Sequence, residues 1–289
     1  MQGESGSAGL TWLRSHHEGT VSIGGRVITN LHLADGIDGL AGEEEELANL
    51  FERLDKASTA YSTEISAKKT KLMTNNTSGI NTEIKINGQK LETVTRFQYL
   101  GSVITDEGSK PEILSRIAQT TTALTRLKPV WNDRSIFLSS IFPHTCESWT
   151  LTAELQRRIQ AMEIRCYRKI VCISYKDHVT SQEVRAKIQQ AIRPREDLLT
   201  IAKRRKLQWY GHVSHSSGLA ETILQGTVKR GRRQGRQRKR WEDNIREWTG
   251  LEFTKSQRAV ENRERWRKLV AKSSVVPKRP SRLREGGGG

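Results

Sequence analysis

The stretch TEIKINGQKLETVTRFQYLGSVIT, residues 82–105, is followed by SKPEILSRIAQTTTALTR, residues 109–126, and the change of pattern between them decides the fold. The first stretch predicts a β-hairpin at Asn87-Gly88, because Asn-Gly readily takes the positive φ angles of a type I′ turn. The second begins with Ser109 and Glu112 at the spacing of a capping box, which predicts the start of a helix. The apolar face predicted for that helix carries Leu114, Ile117, Thr121 and Leu124. A β-rich part followed by helices predicts an α+β fold.

The residues before this stretch are predicted to be β-rich around one helix. Residues 20–33 have a hairpin signal at Gly24-Gly25. Residues 43–63 predict a helix with an acidic first turn, which the helix dipole favours. Residues 70–74 predict a short strand.

The residues after it are predicted to be helical. Thr152 is placed to cap a helix, and the apolar face of that helix carries Leu155, Ile159, Met162, Cys166 and Ile173. Further helices are predicted at residues 197–213, 241–248 and 257–271.

The composition excludes several classes of protein. The 289 residues include 49 Lys and Arg against 32 Asp and Glu, a net charge of +17 with a pI near 10.1. Every uncharged stretch, residues 135–146 among them, is shorter than the roughly 20 residues that span a bilayer. The first residues, MQGESGSAG, lack the basic and apolar regions of a signal peptide, and three sparse cysteines argue against a disulfide scaffold. We therefore expect the nucleus or cytoplasm as the location and no membrane partner.

The excess positive charge lies in the last third of the chain. Residues 193–289 hold 26 Lys and Arg against 10 Asp and Glu. The densest part is KRGRRQGRQRKR, residues 229–240, which we call the basic arm. Its glycines disfavour a helix, and its eight cations predict contact with the phosphates of nucleic acid. A solubilising linker and a nuclear-import signal are the alternative interpretations.

Aromatic residues flank the basic arm. Trp209 and Tyr210 precede it, and Trp241 and Trp248 follow it. Aromatic rings beside cations can stack on bases. However, Trp241, Ile245 and Trp248 have helical spacing, which favours the buried stripe of a helix over stacking platforms. His212 and His215 have a spacing that can bind a metal on a helix, but with no cysteine pair nearby we expect no metal site there.

A series of short motifs resembles one protein family. In chain order the motifs are LADG at 33–36, AKKTKL at 67–72, FQYLG at 97–101, CESWTL at 146–151, RKLQWYGH at 205–212, and GRQRKRWED at 235–243. Their order resembles the C-terminal half of the reverse transcriptases of non-LTR (LINE-type) retrotransposons, with most similarity to the RTE-like group. The resemblance covers roughly residues 20–285.

The resemblance implies a division of the chain. It implies part of a reverse-transcriptase palm at 20–107 with a primer-grip-like hairpin, a helical thumb-like region at 108–192, and a basic nucleic-acid-binding region at 193–284. Residues 1–19 are expected to be a disordered remnant, and residues 285–289 a disordered tail.

The resemblance also implies a polymerase chemistry that this chain is expected to lack when it is alone. The family extends a primer by phosphoryl transfer with Mg²⁺, which requires several carboxylates around two ions. Asp35 matches the first carboxylate of the catalytic hairpin, Gly36 stands where the second is expected, and Asp38 is expected on the outgoing strand. The family's upstream motifs are not recognisable before Asp35. We therefore predict a truncated, inactive enzyme without a cofactor, in which Asp35 would bind metal only if another chain supplied the missing parts.

Other residues receive roles from the resemblance. Lys69 matches a lysine that helps to protonate the leaving pyrophosphate, and a solvated turn lysine is the alternative. Phe97, Tyr99 and Gly101 match the primer grip. The predicted nucleic-acid ligands of the basic arm are Lys229, Arg230, Arg232, Arg233, Arg236, Arg238, Lys239 and Arg240.

The expected partners follow from these roles. They are RNA and DNA, namely the retrotransposon RNA and its target DNA. Two alternatives remain open: a reverse-transcriptase subunit that is active only with a complementing polymerase chain, and a translated repeat fragment without function.

Overall fold

The computed structural model describes residues 21–23, 26–28, 30–33, 36–74, 83–86, 88–99, 101–105, 107–126, 142–191, 196–216, 218–225 and 238–275. The helices are α1 (Glu44–Ala60), α2 (Lys110–Arg126), α3 (Ala153–Ile170), α4 (Ser181–Ala191), α5 (Leu198–Val213), α6 (Leu219–Gln225), α7 (Trp241–Thr249), α8 (Phe253–Glu261) and α9 (Arg263–Ser274). The strands are β1 (Ser22–Ile23), β2 (Arg26–Val27), β3 (Asn30–Leu33), β4 (Gly36–Gly39), β5 (Lys71–Leu72), β6 (Lys85–Ile86), β7 (Gln89–Lys90), β8 (Glu92–Thr93), β9 (Arg96–Tyr99) and β10 (Ser102–Thr105).

Two compact units make up the chain. The first contains the described parts of residues 1–108 and 216–237, and the second those of residues 109–215 and 238–289. All the strands belong to the first unit, and most of the helices to the second. The predicted α+β class is therefore confirmed.

The first unit is built from short hairpins. Antiparallel pairs join β1 to β2, β3 to β4, β6 to β7, and β9 to β10, whereas β5 and β8 pair in parallel. The strands flanking Gly24-Gly25 and Asn87-Gly88 thus pair as predicted. Gly88 has φ +74°, the positive angle that its turn requires.

Helix α1 covers a small apolar core in the first unit. The core consists of Leu72, Ile84, Ile86 and Leu91, and the residues packed against it include Leu47 and Phe51 of α1. The helix begins with three glutamates and so has the acidic first turn expected from the sequence. The predictions of a helix at 43–63 and a strand at 70–74 are confirmed.

The second unit has a larger core formed by helices. The Thr152 side chain accepts a hydrogen bond from the backbone N–H of Leu155 and so caps α3, as predicted. The core residues of this unit are Ile113, Leu124, Phe142, Cys146, Trp149, Leu151, Leu155, Ile159, Met162, Cys166, Leu198, Leu199 and Ala202. The predicted apolar face of α3 is therefore confirmed from Leu155 to Cys166.

Two details of the helical predictions are wrong. The buried apolar residues of α2 begin at Ile113 rather than Leu114, and Thr120 is buried instead of Thr121. The predicted and the observed residues both have helical spacing, so the sequence pattern alone does not show which of them faces the core; packing against the neighbouring helix does. The helix predicted at 257–271 is two helices, because Asn262 leaves the helical conformation at ψ 99° and caps α9 with its side chain.

Several predictions remain open. Residues 1–19 and 285–289 lie outside the described residues, and the proposed palm, thumb-like and basic divisions stay predictions. None of the described helices combines the length and apolar composition that crossing a bilayer would require.

Candidate nucleic-acid interface

The β3–β4 hairpin contains the segment that resembles a polymerase motif. Asp35 lies outside the described residues. Leu33 pairs with Gly36 across the hairpin, and Leu31 pairs with Asp38. The position where a second carboxylate is expected is thus the first residue of β4 and has no side chain. Asp38 lies on the outgoing strand, as predicted.

Asp38 has a partner on another hairpin of the same unit. A hydrogen bond to the Asp38 carboxylate, with burial, raises the pKa of the Tyr99 phenol. Among the residues that the structure describes, no group of three or more His, Cys, Asp and Glu side chains could hold a metal ion. The described part of the hairpin region therefore does not fit a two-metal centre.

The remaining predicted polymerase residues lie in turns and strands of the first unit. Lys69 is exposed in a turn, where its backbone N–H donates to the Ser66 carbonyl at 3.0 Å. Phe97 and Tyr99 are half-buried on β9. Gly101 follows β9 with φ +79°, as its turn to β10 requires. The roles inferred for these residues stay predictions.

Three of the motifs meet inside the second unit. The CESWTL motif lies at the 3₁₀ turn before α3, RKLQWYGH lies on α5, and the RWED segment begins α7. Lys206 on α5 is fully buried, and its Nζ donates to the Trp149 carbonyl at 2.7 Å and to Asn244 Oδ1 at 3.1 Å. Asn244 on α7 also bonds the backbone N–H and carbonyl of Leu151 at 2.7 and 2.8 Å. We call Trp149, Leu151, Lys206, Trp241 and Asn244 the buried node.

The electrostatics of the buried node explain why its residues are polar and aromatic. Burial is the main cause that lowers the pKa of Lys206 to about 6. Its Nζ lies 4.3 Å from the ring centroid of Trp241 and 5.7 Å from that of Trp248, so the indole faces and the two oxygen acceptors oppose the effect of burial. Lys206 and Asn244 are closed to solvent, so the node joins distant segments rather than presenting a cation to a ligand.

Cys146 lies at the same turn and is also fully buried. Burial raises the pKa of its thiol to about 12, so the thiolate needed for nucleophilic chemistry is strongly disfavoured. The free cysteines Cys146 and Cys166 are buried, whereas Cys172 is exposed.

Most of the aromatic residues that flank the basic arm are structural. Ile245 is buried, and Trp241 and Trp248 are half-buried beside it, which confirms the predicted helix stripe. Trp241 Nε1 donates to the Glu147 carbonyl at 2.8 Å. Trp209 differs, because 38% of its surface is exposed while its ring edge contacts Trp241 at a centroid distance of 5.4 Å.

The last residues of the basic arm enter α7 next to this aromatic pair. Lys229, Arg230, Arg232, Arg233 and Arg236 lie outside the described residues. Arg238 and Arg240 are exposed, and Lys239 forms an ion pair with Glu247. The Asp243 carboxylate accepts from the backbone N–H of Arg240 at 2.7 Å and so fixes the start of α7.

Sequence reasoning missed a groove between α5 and α9. Its volume is about 560 Å³, and its lining residues are Arg204, Gln208, Gly211, His212, His215, Arg263, Trp266, Arg267, Val270 and Ala271. The available signals were the four-residue spacings 204, 208, 212 on one helix and 263, 267 on another, which place each set on one helical face. Which faces meet depends on the packing of two helices that lie far apart in the chain.

These features define an α+β protein with a basic helical unit organised around a buried node. The chain resembles a Caenorhabditis elegans protein described as an uncharacterized transposon-derived protein, with 27% identity over 244 residues. The alignment covers 78% of this chain and 86% of that protein. This similarity supports an origin of the chain from a transposable element. No family model and no solved structure matches the chain.

Proposed function

We propose that the chain derives from the reverse transcriptase of a non-LTR retrotransposon. We further propose that, on its own, it binds nucleic acid but does not synthesise DNA. The buried node is the observation that carries this proposal. Segments 57 and 93 residues apart in the chain meet there through hydrogen bonds of Lys206 and Asn244. Three motifs of the resemblance are therefore parts of one folded arrangement, which supports a shared ancestry better than scattered short matches would. The transposon-derived relative agrees with this origin.

The node also fixes the start of the helix that follows the basic arm. Trp241 follows the arm directly, and contacts to Lys206 and Glu147 hold its indole in place. The exposed ring of Trp209 lies against Trp241, beside the point where the arm joins the folded unit. Cations that neutralise phosphates, next to an exposed indole that can stack on a base, are typical of a surface that binds nucleic acid.

Binding measured across a salt series tests this proposal. The purified chain is titrated with labelled duplex DNA and single-stranded RNA between about 50 and 300 mM salt. If about eight cations contact phosphates, log K on duplex DNA falls against log salt with a slope of about −7. The arm variant R232A/R233A/R236A/R238A/R240A is expected to bind all sequences more weakly, since phosphate contacts carry no base information.

A charge-matched variant controls for a nonspecific effect of net charge. The control replaces five exposed cations of the first unit by alanine and so removes the same number of positive charges: Lys56, Lys68, Lys85, Lys90 and Arg96. This control is expected to keep most of the affinity and of the salt slope. A flat salt response of the unmodified chain, or equal losses in the two variants, would contradict binding through the arm.

A further inference from the structure

We propose, as a refinement of the nucleic-acid binding proposed above, that the groove between α5 and α9 binds a single strand of nucleic acid. In this arrangement Arg263 and Arg267 contact phosphates at the rim. An unpaired base enters the apolar floor formed by Trp266, Val270 and Ala271.

The floor of the groove is held rigidly. Gly211 packs directly on the Trp266 indole, where a Cβ would lie 2.4 Å from Nε1. Trp266 Nε1 donates to the Leu207 carbonyl at 3.2 Å, which fixes the ring against α5. Tyr210 and Trp266 also pack together, with ring centroids 5.5 Å apart. Because these contacts pack α5 directly against α9, the groove is already formed in the free protein. A preformed groove lowers the conformational entropy lost on binding.

Among the described residues, the rim of the groove carries positive charge and no carboxylate. The described residues that line the groove include three arginines and two histidines, and no Asp or Glu. Arg263 and Arg267 lie four residues apart on α9 and are exposed. Within the part of the chain that the structure describes, neither has a carboxylate partner, whereas Arg204 on the opposite wall pairs with Glu196. Two adjacent guanidinium groups that no described carboxylate pairs with favour a polyanion over a neutral or cationic ligand.

The shape favours a single strand over a duplex. A duplex stacks its bases inside and presents phosphates on a convex surface, so it would use the rim and leave the floor empty. A single strand can turn an unpaired base into an apolar recess while its phosphates stay at the charged edge. The exposed Gln208 amide, which both donates and accepts hydrogen bonds, lines the same groove and can meet a base edge.

The test uses the full chain with two matched variants on α9. R263Q/R267Q removes the rim charges of the groove. R265Q/K268Q removes two exposed charges of the same helix that do not line it. Each variant is titrated with single-stranded oligothymidylate and with duplex DNA. Loss of two phosphate contacts on a single strand is expected to reduce the salt slope by about 1.4 and the affinity about 25-fold at about 0.1 M salt. The control variant is expected to stay within about threefold of the unmodified chain.

A third variant tests the floor without changing charge. Ala271 is exposed and lines the groove, so A271W fills the recess with little strain on the core. It is expected to weaken binding of the single strand and to leave duplex binding unchanged, with circular dichroism and the melting temperature confirming the fold. Equal losses of A271W on single strand and duplex, or identical behaviour of R263Q/R267Q and R265Q/K268Q, would overturn the groove proposal. If the five-arginine arm variant still loses binding in that case, the proposed function stands; if the unmodified chain shows no salt-dependent binding, the proposed function itself fails.

Discussion

Gly211 shows how one residue of a motif can be required by packing alone. The glycine of RKLQWYGH lies where α5 touches α9, and a Cβ there would come within 2.4 Å of Nε1 and 2.7 Å of Cδ1 of Trp266. The indole is rigid and buried and donates to the Leu207 carbonyl, so it cannot move aside freely. A side chain at position 211 must therefore push the helices apart.

G211A is expected to lower the free energy of unfolding by about 1–3 kcal/mol, the usual cost of overpacking a close contact. Urea unfolding followed by circular dichroism measures the change. The matched control is G218A, because Gly218 has open space around its Cβ position. The control is expected to change stability by less than about 0.5 kcal/mol. A G211A variant as stable as G218A would show that α9 does not pack on α5 in this way.

At the scale of elements, Lys206 connects α5, the turn before α3, and α7. Lys203 and Lys206 lie on the inner face of α5 together with Leu199, Ala202 and Tyr210. In the sequence these lysines are part of a run of cations, which suggests a solvated or nucleic-acid-binding face. Two oxygen acceptors and the indole rings of Trp241 and Trp248 oppose the cost of burial and explain why a lysine is found inside instead.

The pKa of Lys206 predicts a dependence of stability on pH. Burial lowers this pKa from 10.5 to about 6, so between these values the unfolded chain binds the proton and the folded chain does not. Stability therefore rises with pH through this window, by at most about 1.4 kcal/mol per pH unit from this group. Below about pH 6 both states carry the proton, and the full cost of burying the charge remains.

K206M removes the titrating group and is expected to remove this part of the slope. The free energy of unfolding is measured in urea from about pH 6 to pH 9. K268M is the control, since Lys268 is exposed and pairs on the surface with Glu264. If K206M and K268M have the same pH slope as the unmodified chain, Lys206 does not change its charge on folding.

The elements differ in how far local sequence determines them. Helix α3 was predictable because Thr152 supplies its cap and a regular apolar row supplies its buried face. The burial of Glu163 on that helix was not predictable, because a glutamate is ordinarily solvated. Glu163 is fully buried, accepts from the N–H of Leu198 at 2.8 Å, and so satisfies the start of α5. Burial is the largest cause that raises the pKa of this carboxyl, and the pairing with Arg185 at 3.2 Å opposes it.

At the scale of the whole molecule, the candidate interface was predictable only where it is continuous in the chain. The basic arm is a single run, so composition alone identified it. The groove between α5 and α9 needs Gly211 of one segment and Trp266 of another, and no local pattern pairs them. The buried node was not predictable for the same reason, because no local pattern pairs Lys206 with Asn244 and they meet only when the helices pack.

Primer extension tests the prediction that the chain alone does not polymerise. Polymerisation requires several carboxylates around two ions about 4 Å apart. Gly36 supplies none, and Asp38 on the same strand is engaged by Tyr99. The purified 289-residue chain with Mg²⁺, an RNA template and a DNA primer is therefore expected to give no extension above background, while an intact reverse transcriptase extends the same primer. Extension that disappears in D35A would contradict the prediction. It would show that Asp35 acts together with other carboxylates of this chain.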